Sequence, residues 1–235
     1  MIKQALLNYK NQSKKVYLNT KNFFKPEIFV KLADSKSEIK QAQKLRYQVF
    51  FSDRNKKKIL NISNFRKDSD KYDSYCDHVI VNYKHSKFSK NKVIGTYRLL
   101  QQKVAEKKIG FYSAEEFCLD KLIQSDEYTN MLELSRSCIS QKFRSRNVLK
   151  LMWKEIYNYI NTNKIDGMFG TASFLEIDIQ KINNQLLFLQ QNYKMPENIR
   201  VKARKNCRAK IDYSKNIELN LKLVKSLPTP VSYTH

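Results

Sequence analysis

A chain of 235 residues with 41% hydrophobic and 12% aromatic side chains can bury a sizeable core, which excludes global disorder. Four glycines and four prolines exclude collagen-like and low-complexity architectures. The net charge of +23 suits an acidic partner, whether nucleic acid, anionic lipid or an acidic protein; the joint abundance of Lys, Asn and Ile is equally what an AT-rich genome writes onto any exposed surface.

Residues 1–26 are polar and basic with little periodicity, and are expected to form a loosely held arm. A short strand is predicted over 27–33. Ser35 or Ser37 caps a helix that runs to about Phe51, with Ala42, Leu45, Val49 and Phe50 as its apolar stripe. Residues 53–70 are charged and irregular, and read as a mobile surface loop. The stretch 70–78 then places Asp70, Asp73, Asp77, Tyr72 and Tyr75 in an acidic patch within a basic protein.

Strands over 78–83 and 92–101, joined by a polar turn, predict an antiparallel hairpin. One or two short helices fit 110–130, with Ser113 as a cap before Glu116. A strand over 131–140 follows, then an amphipathic helix over 144–163 with Val148, Leu151, Met152, Ile156, Tyr159 and Ile160 at helical spacing. A strand over 167–172, a helix from Ser173 to about Gln190 and a strand over 199–203 complete the order. The strand–helix–strand run after 131 is the signature of a parallel crossover, so the sheet is expected to be mixed.

The four cysteines, Cys76, Cys118, Cys138 and Cys207, are dispersed and the chain has three histidines, so no metal site is expected. No run reaches the roughly 18 apolar residues of a membrane span, and the first fifteen residues lack a signal-peptide core. A cytoplasmic protein is expected. No nucleic-acid-binding module is legible, and no nucleic acid is expected as partner.

The chemistry-bearing stretch is Leu132-Glu133-Leu134-Ser135-Arg136-Ser137-Cys138-Ile139. Successive side chains of a strand alternate faces, so Glu133 and Arg136 point to opposite sides unless a bulge intervenes, at Leu134 or Ser135. Unpaired buried charge is costly. The pair is therefore either solvated at a sheet edge or part of a site, and Arg98 and Arg136 can equally be structural partners of Glu133 and the aspartates.

Seven pieces stand in order along the chain: Leu45-Arg46-Tyr47-Gln48-Val49-Phe50, Tyr72-Asp73-Ser74-Tyr75-Cys76-Asp77-His78, Val93-Ile94-Gly95-Thr96-Tyr97-Arg98-Leu99-Leu100, Gly110-Phe111-Tyr112-Ser113, the Glu133 strand, Leu151-Met152-Trp153 and Gly170-Thr171-Ala172-Ser173-Phe174. With the element order they resemble the GNAT acyltransferase fold, and more narrowly the ornithine–acyl carrier protein N-acyltransferases and the related acyl-homoserine-lactone synthases. The resemblance implies an α/β, GNAT-like fold, a mixed central sheet flanked by helices, over 27–227. It implies transfer of a 3-hydroxyacyl chain from acyl carrier protein to the α-amino group of ornithine.

An acceptor ammonium must lose a proton, which asks for a carboxylate base. The resemblance makes Glu133 the first choice and Asp73 the second, with Arg136 beside them. Arg46, Phe50, Arg98, Ser137 and Cys138 would line the substrate site. Arg144, Arg146, Asn147 and Lys150, at the start of the long helix, would receive the donor phosphopantetheine and its carrier protein. That turn has no glycine, unlike the usual coenzyme A loop of the fold, which suits a carrier-protein donor; coenzyme A is the alternative, and no other cofactor is implied.

An acyl-homoserine-lactone synthase, another GNAT N-acyltransferase and a non-catalytic binding domain of the same fold are the other readings. Peripheral contact with an anionic membrane fits the charge. The tail 227–235 does not resemble the family. Its Val-Ser-Tyr-Thr-His ending matches one reading frame of a common sequencing adapter, so the natural chain is expected to run on past about Leu227.

Overall fold

The structure is a computed structural model that describes residues 25–52, 66–174, 176 and 178–214. The expected arm, except Lys25 and Pro26, and the tail from 215 onward lie outside the described residues, as do 53–65 of the expected loop.

Strand β1 (Glu27–Leu32) leads into helix α1 (Lys36–Tyr47). Ser35 caps α1 by accepting the Glu38 N–H at 3.3 Å. The helix widens at its end into a π-turn over Gln48–Ser52. Strands β2 (Asp77–Lys84) and β3 (Lys92–Gln101) form the predicted hairpin. Short helical turns follow, including a 3-10 turn at Tyr112–Glu115. Next come strand β4 (Phe117–Cys118), one helical turn at Asp120–Ile123, strand β5 (Met131–Ile139), helix α2 (Arg146–Asn163), strand β6 (Gly167–Phe169), helix α3 (Ile179–Asn192) and strand β7 (Lys202–Ala203).

The main sheet has the order β1-β2-β3-β5-β6. Its first four strands are antiparallel, and β5 and β6 are parallel across the α2 crossover. The sheet is mixed, as expected. Strands β4 and β7 instead form a separate two-stranded sheet, so the 199–203 segment contributes two paired residues there and does not extend the main sheet.

Two apolar layers hold the sheet. On one face Val148, Met152, Ile156 and Tyr159 of α2 pack on Val79, Val81, Ile94, Leu99, Leu132 and Leu134, matching the predicted stripe. Leu151 is only half-buried. On the other face Ala42 and Leu45 of α1 and Val49 of the π-turn pack on Ile80, Val93 and Cys138.

Two predicted spans shorten. Strand β6 stops at Phe169; the next residue, Gly170, still lies against β5, where a Cβ would sit 2.4 Å from the Leu134 carbonyl oxygen. The following helix begins at Ile179, where Asp178 and not Ser173 caps it by accepting the Gln180 N–H at 3.0 Å.

β5 and β6 pair only from Met131/Gly167 to Glu133/Phe169. Past Glu133, no described strand lies along the edge of β5 that faces away from β3. The two parallel strands thus splay, and the mouth of the splay faces the Ile139 end of β5.

Candidate active site

The decisive local feature lies in β5. Its register with β3 runs regularly through Leu134–Leu99 and Ser135–Arg98, then resumes at Cys138–Thr96. One residue on β3 therefore faces two on β5, a bulge at Arg136 and Ser137. Arg136 takes a left-handed backbone, φ 54°. The bulge falls one to two residues beyond the predicted position, and its consequence is the one required. Glu133 and Ser135 already share the α1 face, and the extra residue keeps Arg136 there too. Without it the guanidinium would enter the apolar α2 layer, at the cost of an unpaired buried charge.

Arg46 comes to this face from the last turn of α1 and is fully buried. Its Nη1 and Nη2 donate to the two oxygens of Asp73 at 2.7 and 2.8 Å. Its Nη2 also donates to the Asp68 carbonyl, and its Nε lies 3.0 Å from the Asp68 carboxylate. Asp73 further accepts from Gln43 Nε2 at 3.1 Å, the Asp70 N–H at 3.1 Å and Arg98 Nη1 at 3.2 Å. Burial pushes the Asp73 carboxyl up, but the hydrogen bonds and charge of Arg46, then Asp70 and Arg98, hold it well below the usual carboxylate range. A carboxylate so saturated is a poor proton acceptor. Asp73, the second candidate for the base, is placed instead as the hub that ties α1 to the sheet.

Arg98, on β3, is also buried. It donates to Asp70 at 2.6 Å and to Ser135 Oγ at 3.0 Å. Its Nη2 has no protein partner among the described residues. Burial raises and Arg98 lowers the Asp70 carboxyl, with a net downward shift. The 53–70 stretch was expected to be a mobile surface loop. Its last carboxylates, Asp68 and Asp70, are instead held by three arginines. Arg136 reaches the same two aspartates at 3.4 Å each, with 28% of its side chain exposed.

Glu133 is wholly buried. Its Oε1 accepts the Ser113 N–H at 2.6 Å and the Ser113 hydroxyl at 2.5 Å, and its Oε2 accepts the Tyr112 N–H at 2.7 Å. The carboxylate thus caps the first N–H groups of the 3-10 turn, the role that Ser113 was expected to play for a helix. Burial pushes the Glu133 carboxyl up, against the opposing pull of the Ser113 and Tyr112 donors and Arg98.

Two guanidiniums approach the Tyr112 ring: Arg98 and Arg136 stand 5.4 and 5.2 Å from its centroid. No sequence signal singled out this grouping. Tyr72 donates to Glu115 at 2.9 Å and meets the Tyr112 ring edge-on. His78, opposite Arg98 in the register, is buried against the Asp73 carbonyl at 3.1 Å, and burial pushes its pKa down.

Three predicted residues do not join this cluster. Cys138 belongs to the apolar layer under α1, with Phe50 packed at its margin. Ser137 turns to the other face, beside Tyr97. Burial of Cys138 in that layer, and the face change at the bulge, take both side chains away from the Arg–Asp cluster. Arg144, Arg146, Asn147 and Lys150 gather at the start of α2, where Ser145 caps the helix by accepting the Val148 N–H at 3.4 Å. Arg146, Asn147 and Lys150 are exposed, and Arg144 is half-buried.

Residues 45–154 match the model of the Acetyltransferase (GNAT) domain. They run from the end of α1 to the middle of α2 and carry the whole Arg–Asp–Glu cluster. Curated relatives extend the match. An L-ornithine N(alpha)-acyltransferase of Brucella abortus is 38% identical over 62% of this chain and 52% of its own length. One from Rhizobium meliloti is 34% identical over 74% of this chain and 59% of its own. One from Rhodobacter capsulatus is 30% identical over 74% of this chain and 67% of its own. The chain belongs to the L-ornithine N(alpha)-acyltransferase family. It spans between about half and two thirds of the length of these relatives.

Proposed function

We propose that the protein transfers a 3-hydroxyacyl chain from the thioester of an acyl carrier protein to the α-amino group of ornithine. The observation that carries the reading is the similarity to relatives named L-ornithine N(alpha)-acyltransferase, together with a GNAT domain match over the residues that build the cluster. The amine nitrogen attacks the thioester carbonyl, a C–N bond forms, the C–S bond breaks, and the thiol leaves with the proton the amine has lost.

Glu133 is proposed as the base, directly or through a water. Its burial-raised pKa suits a proton acceptor, and Oε2 holds one protein hydrogen bond against two at Oε1. Arg136, partly exposed and held only by 3.4 Å ion pairs, keeps donor capacity for the acceptor's carboxylate. Buried Nη2 of Arg98 adds an unused donor among the described residues. Arg46 and Asp73 hold the frame in which these groups stand.

On the donor side, backbone N–H groups of the splayed segment near Ser137 to Ile139 are proposed to receive the charge that develops on the carbonyl oxygen. The capped start of α2 offers N–H groups to the phosphopantetheine phosphate, and Arg144, Arg146 and Lys150 would meet an acidic carrier. The α2 start lies at the mouth of the splay and the Arg–Asp cluster lies along the middle of β5, so the donor would reach the acceptor from the Ile139 end of the strand.

The test is a mass-spectrometric transfer assay with 3-hydroxyacyl carrier protein or the matching acyl-coenzyme A as donor, and ornithine, lysine or glutamine as acceptor. The expected result is N-acylornithine from the carrier-protein donor. Absence of acylated amino acid with folded protein and loaded carrier would overturn the reading.

A further inference from the structure

The β2–β3 hairpin ends in a turn that the acyl-transfer chemistry does not use. Ser86 and Ser89 close it: the Ser89 N–H donates to the Ser86 carbonyl at 3.1 Å, and the Ser89 hydroxyl both accepts the Ser86 N–H and donates to its carbonyl, each at 2.9 Å. Lys87 and Phe88 therefore occupy the two central positions. Such positions favour Gly, Asn, Asp or Pro for backbone reasons, and Phe satisfies none of them. Phe88 is 79% exposed, more than any other large apolar side chain among the described residues. Around it stand Lys84, His85, Lys87, Lys90 and Lys92, and residues 84–92 contain no acid.

The turn does not stand alone. Tyr83, at its base, packs on Phe143 with ring centroids 4.9 Å apart, and the Ser140 N–H donates to the Ile94 carbonyl at 2.8 Å. These contacts put the hairpin tip at the same end of the sheet as the start of α2 and the mouth of the β5–β6 splay. Lys142, Arg144, Arg146 and Lys150 lie there, and residues 140–154 also contain no acid. Among the described residues, this end of the sheet thus carries cations from two elements, with Phe88 the most exposed apolar side chain on a hydrogen-bonded turn, and Ile28 and one acid, Glu27, opposite Tyr83 and Lys84 in the register.

We propose that this hairpin tip docks on an anionic lipid surface, with Phe88 entering the headgroup–acyl boundary and the lysines meeting lipid phosphates. Lysine stems can lie along the apolar boundary while their ammonium heads stay at the phosphates. A strongly exposed aromatic side chain flanked by lysines on a turn fits a deformable lipid interface. A folded acidic protein is better met by the start of α2, where Arg146 and Lys150 are exposed and residues 140–154 hold no exposed large apolar side chain. The inference deepens the acyl-transfer reading, on which it rests in one respect: an N-acylated amino acid is an amphiphile, and a membrane-facing cleft mouth gives it an exit.

The test is co-sedimentation of the full chain with phosphatidylcholine vesicles, with and without phosphatidylglycerol. The expected result is binding only to the phosphatidylglycerol vesicles, reversed by salt. Phe88→Ser should weaken it roughly tenfold. Lys87→Gln with Lys90→Gln should weaken it about fivefold per lysine. Neither variant should alter the unfolding midpoint or transfer to ornithine in the absence of vesicles. Vesicle binding is read without any transfer assay, so a chain that acylates nothing still tests the tip. Failure of the unaltered chain to bind, or equal binding by both variants, would overturn the proposal. Loss of carrier-protein binding with vesicle binding intact would overturn it as well, by making the tip a protein-docking surface.

Discussion

Arg46 and Asp73, 27 residues apart in the chain, meet through two parallel hydrogen bonds of 2.7 and 2.8 Å in the interior of the protein. This fork joins helix α1 to the segment that precedes β2, and Arg98 attaches β3 to the same carboxylate. A buried charge that loses its partner is costly, so the pair behaves as a unit.

Asp73→Asn should destabilise the protein by up to about 3–5 kcal/mol at neutral pH, because it takes the forked carboxylate from buried Arg46 and leaves it only Asp68. The Asp73 carboxyl titrates below its ordinary value in the folded state. Its contribution is therefore present above the ordinary carboxylate pKa of about 4 and is lost as pH falls below that value and through the lower folded-state one. Denaturant unfolding of the variant and the unaltered chain should differ most at neutral pH and converge in acid.

For Glu133→Gln, transfer should fall by about 10²–10⁴-fold, the usual contribution of a positioned base. Because burial raises the Glu133 carboxyl, the rate of the unaltered protein should fall in acid at a pH above the ordinary Glu range. The variant should lose that limb. An amide at this position also disturbs the cap on Tyr112 and Ser113, so amide exchange at those N–H groups separates a lost base from a loosened turn. A variant that keeps both rate and acid limb would remove Glu133 from the chemistry.

Arg136 pays for its position with a left-handed backbone. Arg136→Gly relieves that strain and loses chain entropy of similar size, so stability should stay within about 1 kcal/mol of the unaltered chain. Its ion pairs are long and partly exposed and add little. The Michaelis constant for the amino-acid acceptor should nevertheless rise at least about tenfold if the guanidinium holds the carboxylate. Arg136→Lys should restore charge without the planar, forked guanidinium beside the Tyr112 ring, and recover only part of the loss.

Gly170→Ala addresses the splay. Its Cβ would lie 2.4 Å from the Leu134 carbonyl oxygen, which is backbone and cannot rotate away. The variant should lose roughly 1–3 kcal/mol, as overpacking does. Thermal unfolding measures this directly, and an unchanged midpoint would show that β6 can withdraw from β5 without cost.

Much of the scaffold was legible in the chain. The stripe of α2, the hairpin and the strand carrying Glu133 follow from periods of 3.6 and 2 that burial imposes on helices and strands. The types of charged residue in the site were legible too, because Glu and Arg in an apolar strand demand a partner. Shorter elements were not. Strand β4 has two residues and forms only because β7 arrives beside it, and β6 ends where Gly170 meets Leu134. Neither event has a local signal.

The division is sharpest at β5. That Glu133 and Arg136 could not serve one face of a regular strand followed from the alternation of side chains alone. Which residue would absorb the mismatch did not, because a bulge is a relation between two strands. The register of β3 sets it at Arg136, turns Ser137 toward Tyr97 and leaves Cys138 in the apolar layer under α1. Likewise, the sequence marked Asp73 as an acid near a site, while only packing against Arg46, Gln43 and Arg98 made it too well held to accept a proton. Local pattern determines which face a residue prefers. Proton affinity and partnership depend on groups distant in the chain, and those the fold alone brings together.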